Sequence, residues 1–250
     1  MPLEAPLPPL AERIAALNAA TRHHGAVSVL EKALTDPSVG RTALVSSFGA
    51  ESVVLLHMVS ILDRSLPVLF VDTEMLFDET LAYQAEVADK LGLMNVQRIG
   101  PDRADLLAED NEGILHVHDT DACCTLRKSR PLQRALDGVD AWITGRKRYQ
   151  GGARAELNFF EEELGTGRIK VNPLARWARE DTQEYIIQNR LPRHPLVAQG
   201  YPSIGCAPCT SPVGAGEDER AGRWRDTDKE ECGIHFVDGK IVRGPKRSAA

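Results

Sequence analysis

Short apolar runs alternate along this chain with stretches of helical periodicity. A helical pattern covers about Leu10 to Leu34 and gives way at Asp36-Pro37. The apolar run Ala43-Leu44-Val45 then ends in Ser46-Ser47-Phe48-Gly49-Ala50-Glu51-Ser52, and an apolar helix pattern resumes at once from Val53 to Leu62. Val68-Leu69-Phe70-Val71 reads as a buried strand closing on Asp72-Thr73. A helix over Glu79 to Leu91 and a third strand over Asn95 to Ile99 follow. Downstream, Cys123 to Leu136 reads as a helix, Ala141 to Thr144 and Ile169 to Val171 as strands, and Asp181 to Asn189 as a helix. Strands separated by helix-length segments predict βαβ units, hence an α/β fold with a Rossmann-like open parallel sheet. The expectation is one α/β domain over residues 1–212. The stretch 213–250, rich in Gly and charge, lacks periodicity until Ile234 to Val242 and is expected to be a mobile C-terminal tail.

Composition narrows the function classes. The 250 residues are 42% apolar and 26% charged with a net charge of −6, which argues against broad binding to nucleic acid or an anionic membrane. An anionic ligand must therefore meet a local basic cluster. The longest apolar stretch, Val53 to Leu62, is broken by His57 and Ser60 and is too short to span a bilayer. Met1 to Leu10 holds Glu4 and four prolines and lacks the basic and apolar regions of a signal peptide, so a cytoplasmic location is expected.

Cysteine usage is more informative. Cys123 and Cys124 are adjacent, Cys206 and Cys209 form a C-x-x-C around Pro208, and Cys232 stands alone. An odd count argues against a disulfide framework, and neighbouring cysteines pair only with strain. Four thiolates fit tetrahedral zinc or an iron–sulfur cluster, and a redox C-x-x-C is a third option. Adjacent cysteines diverge too far to chelate one small ion easily but can reach different irons, which tilts the choice toward a 4Fe–4S cluster. Cys232, in a tail with cations nearby, reads as a candidate nucleophile, although Glu230 and Glu231 would oppose its ionisation.

Ser46 to Ser52 has the make-up of a phosphate-binding loop, with small residues opening onto a helix N-terminus. It lacks the Gly-Lys-Ser/Thr ending of an NTPase P-loop. The cations fall into groups: Arg127 and Lys128 after the cysteine pair, Lys147, Arg148 and Arg154 after the Trp142 strand, and Arg220 and Arg223 ahead of Cys232, with His235 beyond it. In an acidic protein such grouping suggests a shared polyanionic ligand.

Together, Ser46-Ser47-Phe48-Gly49-Ala50-Glu51-Ser52, Val71-Asp72-Thr73, Cys123-Cys124-Thr125-Leu126-Arg127-Lys128, Thr144 through Arg154, Cys206-Ala207-Pro208-Cys209 and Glu231-Cys232-Gly233-Ile234-His235 resemble the assimilatory adenylylsulfate (APS) reductases, relatives of the PAPS reductases. The resemblance implies an adenine nucleotide α-hydrolase-like fold, a 4Fe–4S cluster on Cys123, Cys124, Cys206 and Cys209, and Cys232 as the catalytic cysteine. It implies APS as substrate, held by Ser46, Ser47, Phe48, Gly49, Ala50, Glu51, Ser52, Asp72 and Thr73. Lys128, Lys147, Arg148, Arg154, Arg220, Arg223 and His235 would meet its charge. With four cysteines on a cluster no sixth thiol remains, so thioredoxin or glutaredoxin is implied as reductant; members of the family are often homo-oligomers. Glu230, and Gln150-Gly151 in the arginine loop, depart from the usual family residues. The rivals are PAPS as substrate, an ATP pyrophosphatase-type adenylating enzyme, whose Ser-Gly-Gly-x-Asp-Ser loop the chain does not match, and a zinc-binding interaction module.

Overall fold

The computed structural model describes residues 7–225, Lys229 and the paired strands Phe236–Val237 and Lys240–Ile241; Cys232 and His235 lie outside the described residues. The sheet holds β1 (Thr42–Ser46), β2 (Val68–Val71), β3 (Val96–Ile99), β4 (Ala141–Ile143), β5 (Phe160–Glu163) and β6 (Arg168–Val171) in the order β3-β2-β1-β4-β6-β5. All neighbours are parallel except β5, which runs antiparallel to β6. The apolar run of β2 has a simple cause. Val68 and Phe70 enter the larger core beneath α3 (Ser52–Leu62), while Leu69 and Val71 pack on the other face with Leu132, Leu136 and Trp142. A strand covered on both faces has no polar side to alternate with. Each such large side chain contributes roughly 1.5–3 kcal/mol by burial.

The long helical pattern at the N-terminus is two helices, α1 (Leu10–Ala20) and α2 (Ala26–Thr35). Thr21 turns its hydroxyl back onto the Leu17 carbonyl at 2.7 Å, and Gly25 is extended ahead of α2. Asn18 grips both the N–H and the C=O of Phe160, which covers the outer edge of β5. Strand β5 was not foreseen because Phe160-Glu161-Glu162-Glu163 reads as surface. The structure buries Glu163 beside Lys170 and Arg168, and Arg146 donates to Glu161 at 2.9 Å. The strand over 68–71 stands as expected, and α4 (Asp78–Leu91) and α9 (Arg179–Gln188) differ from expectation only at their ends.

The expected helix over Cys123 to Leu136 is one winding with a wide turn inside it. Following α5 (Arg103–Glu109) and α6 (Leu115–His118), α7 (Thr120–Cys124) runs into a π-helical turn, Thr125–Ser129, and then α8 (Arg130–Ala135). Such turns carry an extra residue and recur at functional sites. Beyond Pro212 the described chain loops through exposed residues 214–218 and is tied back over Gly222 to Trp224. Ser211 N–H donates to the Gly222 carbonyl at 2.9 Å, Thr210 bridges to Arg223, and Trp224 is buried. Among the described residues no helix is long and apolar enough to cross a membrane.

Candidate active site

The sheet order reverses between β1 and β4, since the chain leaves β1 toward β2 and β3 and returns to β4 on the other side. Open α/β sheets bind ligands at that crevice, outside the carboxyl ends of the strands. A cleft lies there. Ser46, Ser47, Gly49, Ala50, Glu51 and Ser52 line it from the β1 side; Thr144, Gly145, Arg146, Lys147, Gln150 and Arg154 line it from the β4 side. Pro202, Ser203 and Ile204 close one wall, and Arg220, Arg223 and Trp224 reach in from the C-terminal segment.

Local structure explains how the β1 loop turns. Phe48 adopts φ 48°, unusual for a side-chain-bearing residue, and is compensated by full burial edge-on to Phe70 at 5.2 Å. The Ser46 hydroxyl accepts from Phe48 N–H at 3.1 Å, and the turn delivers Ser52 to the start of α3. Glu51, just ahead of that helix, is tied across the cleft: Lys147 Nζ donates to its Oε2 at 2.8 Å, and Tyr149 donates to Oε1 at 2.8 Å. Burial pulls the Lys147 ammonium below its ordinary pKa, and Glu51 opposes that shift.

Beside this cleft the four cysteines of the central segments form a second feature. Cys123 and Cys124 are buried at the end of α7. Cys206 starts a tight turn, Ala207–Cys209, stitched to the loop after β2 by Ala207 N–H on the Met75 carbonyl at 2.8 Å. Two of the thiols, Cys123 and Cys209, sense the charge of the others. Burial, then Cys124 and Cys206, push the Cys123 thiol up to about 12; Cys209 is raised by burial and by Cys206 and Cys124. Cys206 goes the other way. Burial raises it, but Lys128, a 3.2 Å contact with Thr73 Oγ1, and Arg223 together hold it below the ordinary thiol value. Among the described residues no three His, Cys, Asp or Glu side chains are placed to hold a single metal ion.

Arg223 joins the two features. Its guanidinium lines the cleft, acts on Cys206 and Cys209, and stacks over Trp224 at 4.4 Å. Its Nε is buried without a hydrogen-bond partner among the described residues. Gly205 makes this approach possible, because a Cβ there would collide with the guanidinium.

The structure distributes the remaining expected residues unevenly. Ser46, Ser47, Gly49, Ala50, Glu51, Ser52, Lys147, Arg154, Arg220 and Arg223 meet at the cleft. Phe48 faces the core instead. Asp72 pairs with Arg98 and accepts from Glu74 N–H at 2.9 Å, while Thr73 joins the cysteines. Arg148 turns its Nε to the Leu157 carbonyl at 2.7 Å, and Lys128 is buried against Cys206. Sequence reasoning missed Arg146 and Trp224. Arg146 stands among three other basic residues and carried no signal of its own; it is held by Thr144, Asn172 and Glu161.

A cleft at the switch point of an open, mostly parallel sheet, with arginines converging on it, defines an α/β protein of the adenine nucleotide α-hydrolase type. Residues 41–212 match the family described as phosphoadenosine phosphosulfate reductase domain, and the chain belongs to that family. It is 47% identical to an adenosine 5'-phosphosulfate reductase of Mesorhizobium japonicum, over 91% of this chain and 89% of that protein. It is 48% identical to a protein of the same name from Chelativorans sp., over 91% of this chain and 94% of the other. Among solved structures, a phosphoadenylyl-sulfate reductase from Candida auris superposes with TM-score 0.67 at 27% identity, covering 81% of this chain and 97% of that one. An FMN adenylyltransferase of Candida glabrata, at 14% identity and TM-score 0.52, shares the fold.

Proposed function

We propose that this protein reduces adenosine 5'-phosphosulfate to sulfite and AMP in sulfate assimilation. The observation that carries the reading is the convergence of the Ser46–Ser52 loop and of Arg154, Arg220 and Arg223 on one cleft, with Arg223 bordering the four thiols. The names of its relatives, at 47% and 48% identity over nearly the whole chain, support APS as the sulfonucleotide. The Candida auris protein's name supports PAPS as the alternative.

In this reading the adenosine phosphate sits at the switch point, its oxygens facing loop N–H groups and the cleft arginines. Lys128, buried against Cys206, and His235 are assigned to the same ligand's charge, and Arg148, turned to the Leu157 carbonyl, is not. The Cys232 thiolate attacks the sulfate sulfur in line; the S–O bond to the phosphate breaks, AMP leaves, and Cys232 carries an S-sulfonate. A thiolate of thioredoxin or glutaredoxin then attacks the Cys232 sulfur and expels sulfite. Its second thiol resolves the mixed disulfide, so the dithiol supplies both electrons.

The donor set of Cys123, Cys124, Cys206 and Cys209 fits a 4Fe–4S cluster: four thiols near one another in the fold, with Lys128 and Arg223 to balance an anionic centre. When bound, the cluster supplies a fixed anionic centre that links the two cysteine segments. Sulfite release from APS and from PAPS, side by side with reduced thioredoxin, tests the function. Sulfite from APS is expected, and release from neither compound overturns the proposal.

A further inference from the structure

Outside the cleft, one cation is buried where the sequence leads to no such expectation. Lys229 lies in the charged tail, yet its side chain is only 8% exposed. Its Nζ donates to Asp121 Oδ1 at 2.6 Å and to the Thr120 carbonyl at 3.3 Å. It also hydrogen-bonds Cys124 and lies 5.7 Å from the centre of the Trp224 ring. An exposed lysine pair contributes little, but a lysine gives up its hydration only where several partners replace the water. Here the partners come from the first turn of α7, from its final cysteine and from the packed C-terminal segment.

We infer that Lys229 is a positioning residue: it fixes the chain immediately ahead of Cys232 against the cysteine-pair helix. This inference rests on the reading of Cys232 as nucleophile. The magnitude follows from chain length. Cys232 is seven residues beyond Arg225 but three beyond Lys229. At ~3.4 Å per residue the reach falls from roughly 24 Å to roughly 10 Å. The accessible volume shrinks about tenfold, and the local concentration of the thiol at the cleft rises by a similar factor.

The test uses iron-loaded full-length protein and the variants Lys229→Met, Lys229→Arg and Asp121→Asn. Mixed with APS in the absence of reductant, Lys229→Met and Asp121→Asn are expected to form the S-sulfonate about tenfold more slowly. AMP affinity and iron content should stay unchanged, and Lys229→Arg should keep most of the rate. A glutamate-specific protease should cut at Glu230 and Glu231 faster in the two slow variants than in wild type, with denatured controls cut equally. An unchanged adduct rate and unchanged cleavage in Lys229→Met overturn the inference. So does loss of iron with cleavage unchanged, which would make Lys229 a support of the thiol centre. If wild-type protein forms no adduct from APS, the proposed function fails, while the cleavage contrast still decides the role of Lys229.

Discussion

Lys147 Nζ stands 2.8 Å from Glu51 Oε2, and this pair changes the meaning of both residues. The ammonium is almost fully buried, and its charge is already answered by a carboxylate from the opposite side of the cleft. Lys147 therefore holds the loop after β1 to the loop after β4 and has less charge to spare for a ligand than Arg223, whose Nε is unpartnered among the described residues. Lys147→Met should lower the unfolding free energy by about 3 kcal/mol, because it leaves the Glu51 carboxylate with the Tyr149 hydroxyl as its remaining partner. Arg223→Ala should leave stability nearly unchanged and lower kcat/KM for APS by about 10–100-fold, the loss of a charge-assisted contact. Urea unfolding and steady-state kinetics on both variants check this. A larger kinetic loss in Lys147→Met than in Arg223→Ala would reverse the assignment.

A second buried pair governs where the cysteines stand. Arg127, in the π-helical turn, donates to Asp110 Oδ2 through Nε at 3.1 Å and Nη2 at 2.7 Å, and through Nη1 to the Thr73 carbonyl at 3.0 Å. The Thr73 hydroxyl is the group against Cys206, and Asp110 also accepts from Leu115 N–H. One guanidinium thus sets the cysteine-pair helix, the loop after β2 and the C-x-x-C turn in register. Asp110→Asn should cost about 3–5 kcal/mol by stranding a buried cation. The expected signs are a lower melting temperature and a lower iron content after anaerobic reconstitution. Wild-type iron content at a wild-type melting temperature would remove this pair from the account.

His194 makes acid a structural stress outside the residues that line the cleft. The imidazole is buried; its Nδ1 accepts from Leu196 N–H at 3.3 Å, so Nε2–H donates to Thr80 Oγ1 at 3.0 Å. Burial lowers its pKa from 6.5 to about 4. Between those values the unfolded chain binds a proton that the folded chain refuses. The stability present above pH 6.5 is therefore lost as pH falls and is gone near pH 4, on the order of 3 kcal/mol in all. Chemical denaturation at stepped pH should show a shallower decline for His194→Asn than for wild type. Parallel declines would assign the acid loss to other groups.

Legibility in the sequence followed the physical periodicity. Strand β2 could be read to the residue because it is buried on both faces, whereas β5 could not, because Glu161 and Glu163 are neutralised by Arg146, Arg168 and Lys170 from elsewhere in the chain. The Ser46–Ser52 loop and the cation groups were legible as types. Which cations face the cleft was not: Lys147 is claimed by Glu51, 96 positions away, and Arg148 by the Leu157 carbonyl across a turn with no periodic signal. The same holds for Thr73, whose role beside Cys206 depends on a contact across 133 positions. The π-helical turn that follows Cys124 has no periodic signature of its own.

The nucleophile itself gives the sharpest test. In the proposed reading Cys123, Cys124, Cys206 and Cys209 hold the cluster, three of them are buried, and attack on the sulfonate is assigned to Cys232. Cys232→Ser replaces a thiolate by a hydroxyl that stays protonated near neutral pH, while the loop after β1 and the cleft arginines are untouched. The variant should bind AMP and iron as wild type does, form no S-sulfonate with APS, and lose turnover by at least ~10³-fold. Intact-mass analysis reads the adduct directly as one added SO3 group, and it should vanish with the thiol. Wild-type turnover by Cys232→Ser would sink the covalent route, and an adduct that persists in the variant would move the nucleophile onto one of the four paired cysteines.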